Sequence, residues 1–132
     1  MKSRIHQDDD CLFCRWFGSG KSVATHGSVA AFIDGFPVTP GHLLIVPRRH
    51  VADGLDMNGQ ELRDSRELID LLVERIRHDD PSVTGFNIGM NIGASAGQTV
   101  MHAHIHLIPR RDGDTNDPKG GVRGVVPGKR GY

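Results

Sequence analysis

Three histidines stand two residues apart near the end of the chain, in His102-Ala103-His104-Ile105-His106-Leu107-Ile108. Alternate side chains of an extended strand point to opposite faces, so the spacing predicts that His102, His104 and His106 share one face and Ala103, Ile105 and Leu107 the other. At a rise of about 3.3 Å per residue, neighbouring imidazoles would lie roughly 6–7 Å apart, a row able to surround one phosphate-sized group. Imidazole is a nucleophile, a proton carrier and a metal ligand near neutral pH, so three chemistries are open. The bland alternative is an alternating strand with a polar outer face. Against it stands the preceding Gly93-Ala94-Ser95-Ala96-Gly97, whose backbone N–H groups suit phosphate.

The only two cysteines, Cys11 and Cys14, are spaced C-x-x-C. They are too few for a disulfide framework. Two thiolates make half of a tetrahedral zinc site, which histidines would have to complete. Outside the triad, His6, His26, His42, His50 and His78 are available. A redox pair lacks its usual βαβ context, and two unmetallated thiols are the third reading.

A chain of 132 residues suits one domain, and with 37% hydrophobic residues and 17 glycines its core is small. A metal or a dimer interface would supplement such a core. Sixteen basic residues balance sixteen acidic ones, which removes the electrostatic case for general nucleic-acid or membrane binding. The first ten residues contain no apolar signal core, and no run is long enough to span a bilayer, so a cytoplasmic location is expected.

The elements that must position these residues are legible in part. Ser28-Val29-Ala30-Ala31-Phe32-Ile33-Asp34 reads as a strand, followed by the turn-rich Gly35 to Gly41 stretch and a second short strand from His42 to Val46, together a hairpin. Helical spacing appears at Leu62, Ile69, Leu72, Val73 and Ile76, with Arg63, Asp64, Arg66, Glu67, Asp70, Glu74 and Arg75 assigned to the solvated side. Asn58 and Glu61 form a capping-box pattern at its start, and Asp79-Asp80-Pro81 ends it. Phe86, Ile88, Met90 and Ile92 alternate with polar or small residues as a further strand leading into the glycine loop. One long helix with antiparallel strands is an α+β arrangement, without a repeat or second domain. Residues 110–132 change to Arg, Asp, Gly and Lys and read either as a solvated arm or as a segment whose Arg110, Arg111, Lys119 or Arg123 reaches ligand phosphates.

From Cys11 to Arg111 the chain resembles the histidine triad family. Gly97-Gln98-Thr99-Val100-Met101-His102-Ala103-His104-Ile105-His106-Leu107-Ile108-Pro109 is similar to the family's signature, and Pro40-Gly41-His42-Leu43-Leu44-Ile45-Val46-Pro47-Arg48-Arg49-His50 to its earlier strand segment. The resemblance implies a HIT-like fold of about five antiparallel strands, one long helix and shorter helices, paired as a homodimer. It implies His104 as the nucleophile that takes the α-phosphoryl group of a purine nucleotide, with His106 and His42 beside the phosphate. Gln98 and Thr99 match positions touching the phosphate or bridging oxygen, Asn91 a phosphate-site asparagine, and Asp34 the ribose-binding acid. Phe32 matches a purine-pocket position, although for Phe32 alone core packing is the better reading. In zinc-bearing members the cysteine pair is joined by histidines at the positions of His50 and His102, giving a structural zinc held by Cys11, Cys14, His50 and His102.

Ile108-Pro109-Arg110-Arg111 resembles the bacterial diadenosine polyphosphate hydrolase-like members, which implies hydrolysis of a dinucleoside polyphosphate such as diadenosine tetraphosphate. A purine nucleoside phosphoramidase would use the same intermediate. A binding or scaffold protein without turnover is the alternative of another class. The transferase branch carries glutamine at the third triad position, where His106 stands here.

Overall fold

The computed structural model describes residues 8 and 10–132; His6, one of the candidate ligands, lies outside them. Its elements in chain order are helix α1 (Leu12–Phe17), strands β1 (Ala24–His26), β2 (Val29–Ile33) and β3 (Leu43–Pro47), helix α2 (Gly59–Asp79), and strands β4 (Val83–Gly89) and β5 (Ile105–Arg111). Single 3-10 turns occupy Gly54–Asp56, Ala94–Ala96 and Gly121–Val125. The five strands form one antiparallel sheet in the order β1-β2-β3-β5-β4. The expected α+β architecture is therefore present. Among the described residues no helix is long and apolar enough to cross a membrane.

Alternation along the strands divides the interior in two. Val29, Ala31, Leu43, Ile45, Ile105 and Leu107 face α2 and pack on Leu68, Ile69 and Leu72. Ala30, Phe32, Leu44 and Val46 face the other way, against Phe13 of α1, with Trp16 and Phe17 packed at its margin. Phe32 pairs with Leu44, and Leu44 with His106, so the second face continues along β5 into the histidines.

The hairpin of β2 and β3 runs from Val29↔Pro47 to Ile33↔Leu43, with residues 34–42 as its loop. Gly41 has φ +91°, and a Cβ there would approach Pro109 Cγ to 3.3 Å. A side chain would be strained by both conformation and space. The hydroxyl of Thr39 donates to Pro109 O at 2.6 Å, tying the loop to β5.

The α2 capping box is complete: the Asn58 side chain accepts from Glu61 N, and the Glu61 carboxylate from Asn58 N. Arg49 reaches the same carboxylate at 2.7 Å, so the charge of buried Glu61 is paired as well as capped. Two residues depart from the expected helix faces. Leu62 is 45% exposed while Leu68 takes the core position, and Asp64 turns inward. Asp64 accepts from Ser28 N and Ser28 Oγ at the β1–β2 turn, where Gly27 leaves room for its carboxylate. Periodicity alone assigned Asp64 to solvent because it does not register a polar group held by a distant turn.

Strand limits also shift. β4 stops at Gly89, before Met90 and Ile92. β5 begins at Ile105, because the preceding Ala103 N–H bonds to Val51 O, at 2.8 Å, in the segment after β3. His102 and His104 consequently sit ahead of the ladder, and His106 alone of the three lies within it. The resemblance implies about five strands and shorter helices, but the residues alone do not place α1 or β1: each is short, and neither has enough residues to display a period. The strand runs into the expected arm as far as Arg111, after which most residues are exposed.

Candidate functional site

The histidines are built from the backbone outward. His104 Nδ1 lies 2.8 Å from His102 O, and a carbonyl can only accept, so the ring proton sits on Nδ1. That leaves the lone pair on Nε2 as the nucleophilic position. Phe13 packs edge-on against this ring at 5.0 Å between centroids, holding its plane.

His42 is set by the opposite means. Val38 N–H donates to its Nδ1 at 3.0 Å, so the neutral ring carries its proton on Nε2. Nε2 faces His106 Nδ1 at 2.9 Å and donates to it. His106 then carries its own proton on Nε2, a donor on a ring 5.2 Å from that of His104. One main-chain amide thereby fixes two tautomers. Asp34 Oδ2 approaches the same pair, 3.4 Å from His42 Nε2 and 3.9 Å from His106 Nδ1.

Burial favours the neutral form of three of the rings, His42, His106 and His102. His42 is pushed below the ordinary histidine pKa by desolvation, which outweighs the opposing pull of Asp34. His106 is lowered first by burial and then by the neighbouring His104 and His42. His102, with no exposed surface, is depressed to about 4, chiefly by burial, against the pull of its bond to Pro47 O. A neutral imidazole is what both nucleophilic attack and neutral hydrogen-bond donation require.

Behind the row lies a second cluster. Cys11 Sγ is 3.4 Å and Cys14 Sγ 3.5 Å from His102 Nδ1, and Cys14 Sγ is 3.3 Å from His50 Nδ1. All four ligand atoms fall within 4.8 Å of one another. Bonds of about 2.0–2.3 Å to a tetrahedral ion place ligand atoms some 3.3–3.8 Å apart, so the donor set and its spacing fit zinc. His102 Nε2 donates to Pro47 O at 2.7 Å, directing the lone pair of Nδ1 toward the thiols, as metal-ligating histidines are usually held. Burial raises the Cys14 thiol when no cation is nearby.

The remaining site residues divide. Gln98 is buried and committed to its own loop: Nε2 donates to Ala52 O and Val100 O, and Oε1 accepts from Gly93 N. In this arrangement it shapes the glycine loop without presenting a donor to a ligand. Asn91 is half-buried on the wall of a cavity of about 1250 Å³ that also includes His42 and His106, while Thr99 is exposed and off that wall. Phe32 is 1% exposed and wedged between Trp16 and Phe17, at 5.3 and 5.1 Å, as a core residue. Arg110 is held by Asp114 and Asn87, and Arg111 by Asp80; Lys119 and Arg123 lie over the Tyr132 ring. His78 is exposed and His26 half-buried beside Glu67. Phe13 and Val38 escaped sequence reasoning. Phe13 had a usable signal, since it stands between the two cysteines, whereas Val38 acts through an amide that every residue but proline possesses.

Comparison with known proteins agrees with this geometry. The HIT domain family matches residues 19–113, and the chain belongs to that family. It is 37% identical over 108 residues to an uncharacterized HIT-like protein of Saccharolobus solfataricus, covering 75% of this chain and 73% of that one. It is 37% identical to the asymmetrical bis(5'-nucleosyl)-tetraphosphatase of Schizosaccharomyces pombe, over 67% of this chain and 48% of that protein. With an AP-4-A phosphorylase of Mycobacterium tuberculosis it shares 38% identity over 74% and 50% of the two chains. The chain thus spans about half the length of these last two relatives. The structure of a Zn-bound histidine triad family protein from Mycobacterium smegmatis superposes with a TM-score of 0.74 at 28% identity, over 82% of this chain and 80% of that one.

The lowered histidines make stability depend on pH. The unfolded chain protonates them near 6.5, and His102 in the fold only near 4, so between these values the unfolded state binds more protons and stability falls with acidification. Thermal melts from pH 7 to 4 should show a continuous fall in Tm over that window. An unchanged Tm down to pH 5 would contradict the assignment.

Proposed function

We propose that this protein is a nucleotide hydrolase that cleaves the α-phosphate linkage of dinucleoside polyphosphates, such as diadenosine tetraphosphate, through a nucleotidyl-His104 intermediate. The observation that carries the reading is the fixed tautomer of His104, with its proton on Nδ1 bonded to His102 O and its Nε2 lone pair left for attack. Nε2 attacks the α-phosphorus, and the bond to the bridging oxygen breaks with release of the remaining nucleotide. Water then displaces His104 and yields nucleoside monophosphate. His106 Nε2–H stabilises the charge developing on phosphate, and His42 holds His106 in the donating tautomer. A well-placed donor of this kind is worth about 3–4 kcal/mol in the transition state. Asp34 binds the ribose hydroxyls and Asn91 the phosphates. The relatives named as a tetraphosphatase and an AP-4-A phosphorylase support this substrate class.

His104→Ala removes the attacking atom and leaves the pocket. Turnover should fall at least about a thousandfold with folding and nucleotide affinity retained. Rapid acid quench with adenine-labelled diadenosine tetraphosphate should trap label on the wild type and none on the mutant. Label at another residue, or near-normal turnover by the mutant, would replace His104 as nucleophile; faster cleavage of an adenosine phosphoramidate would change the substrate class.

We also propose a structural zinc at Cys11, Cys14, His50 and His102. Bound there, the ion would tether α1 and His102 and so hold the backbone carbonyl that orients His104. Structural zinc sites contribute about 10–16 kcal/mol of apparent binding energy in small peptides. Metal analysis of protein purified without added zinc should give one zinc per chain. A metal-free preparation of equal stability and activity would rule the site out.

A homodimer through α2 and neighbouring strand edges completes the proposal. It is supported by exposed Leu62 and Leu71 on that helix and by the position of β4 as an edge strand of the sheet. Light scattering should give twice the 14.4 kDa chain mass at micromolar concentration, and a monomer there would refute it.

A further inference from the structure

The cavity of about 1250 Å³ beside the histidines has two unlike sides. One is built by the sheet and its loops, with Val38, His42, Ile88, Asn91 and His106 on the wall. The other is built by the segment from Thr115 to Tyr132, which places Lys119 and Arg130 across from them. That segment lies beyond residues 19–113, the part of the chain that matches the HIT domain family, so family membership does not account for it. The space exceeds the roughly 300–1,000 Å³ of a pocket for one small ligand, which leaves room for an extended one. Neither His104 nor Asp34 is on the wall, whereas His106 is. His104 and Asp34 are the residues given above to the transferred nucleotide, and His106 stands at its phosphate, so the cavity opens on the side of the departing phosphates.

The arm is fixed to the sheet at its start and closed on itself at its end. Arg110 of β5 grips the Asp114 carboxylate with Nε and Nη2, both at 2.8 Å, and reaches Asn87 of β4 with Nη1 at 2.7 Å. Arg111 N–H donates to the same carboxylate. Farther on, Arg130 donates to Asp117 O, and Arg123 to Arg130 O and Gly131 O. Arg110 and Arg111 are thus spent on holding the arm, and the cations left to meet a ligand are those beyond Pro118.

From Pro118 to Tyr132 the chain carries Lys119, Arg123, Lys129 and Arg130 and no acidic side chain, in a protein whose charges otherwise cancel. Lys119 Nζ has the Tyr132 ring as its partner at 5.4 Å, and Arg123 has that ring and two carbonyl oxygens, so neither charge is met by a carboxylate among the described residues. Arg130 faces the Asp117 carboxylate only at 3.8 Å. Asp114, the other acid on the wall, is paired with Arg110. The arm therefore presents surplus positive charge to a cavity whose far wall holds the phosphate-site histidines, an arrangement that attracts a chain of phosphates.

We propose that the arm binds the phosphates on the leaving side of the α-phosphate, with Lys119 and Arg130 as its contact groups, and so selects substrates by the number of phosphates they release; the proposal rests on the nucleotide-hydrolase reading above. Diadenosine diphosphate and diadenosine tetraphosphate transfer the same adenylyl group to His104, and differ in releasing AMP or ATP. Only the longer leaving group extends from His106 toward Lys119 and Arg130. Contacts so far from the reacting phosphorus form equally in the ground and transition states, so their effect belongs in KM more than in kcat.

Steady-state kinetics with these two dinucleotides test the assignment in the full chain. In Lys119→Gln the preference for the tetraphosphate, read as the ratio of the two KM values, should fall about fivefold, the scale of a partly exposed charge pair. Arg130→Gln should lower it in the same direction, and Lys119→Arg, which keeps the charge, should hold it within about twofold of the wild type. Both substituted side chains lie on an exposed arm outside the two packed cores, so thermal melts of the variants should match the wild type. A ratio unchanged in both glutamine variants, or one lowered as far in Lys119→Arg as in Lys119→Gln, overturns the role of the arm and leaves the hydrolase reading standing. Cleavage of neither dinucleotide by the wild type overturns the two together.

Discussion

The polypeptide backbone decides which nitrogen of each buried histidine carries a proton. Pro47 O takes the hydrogen of His102 Nε2, His102 O that of His104 Nδ1, and Val38 N–H fills the lone pair of His42 Nδ1. An imidazole in water exchanges between tautomers; here each ring has one nitrogen committed to the main chain, and the other is left with a defined role. His102 turns a lone pair toward the thiols, His104 turns one away from the His102 carbonyl, and His42 turns a hydrogen toward His106. The first two bonds are buried and the third partly so, and away from water an unsatisfied partner costs more. The chemistry therefore depends on the precision of the main chain more than on other side chains.

That precision comes from packing on both sides of the sheet. On the α2 side Glu61 closes the helix's capping box and pairs with Arg49, the residue immediately before His50. On the opposite face α1 brings the cysteines to His50 and His102 and lays Phe13 across the rings of both His102 and His104. One short helix and the Cys11 that caps it thus supply both thiols and the packing surface of the proposed nucleophile. Six residues would not persist as an isolated helix in water, so tertiary contacts must hold it.

Much of this was legible from the chain alone, and the reasons for the rest are specific. The hairpin, the long helix with its cap and the shared face of the histidines follow from periods that repeat over several residues. The gathering of Cys11 and Cys14 with His50 and His102 came from resemblance, and the fold brings them together across 36 to 91 residues of sequence. Gln98 was legible as important but not in its manner, since its carboxamide serves its own loop. The inward turn of Asp64 and the amide of Val38 had no signal in composition or spacing, because each depends on a partner fixed only by tertiary structure.

The division of odd and even positions between two sides of the sheet limits how such a chain can change over evolutionary time. Ala103, Ile105 and Leu107 belong to the helix side, and the histidines between them to the other. A substitution at any one of these positions is a local event. Insertion or deletion of a single residue between His102 and Leu107 would instead exchange the sides downstream, burying an imidazole against Leu68 and Leu72 while sending an aliphatic chain toward Asp34. The segment can drift in composition, but its length is fixed, and any tolerated change of length must come in steps of two.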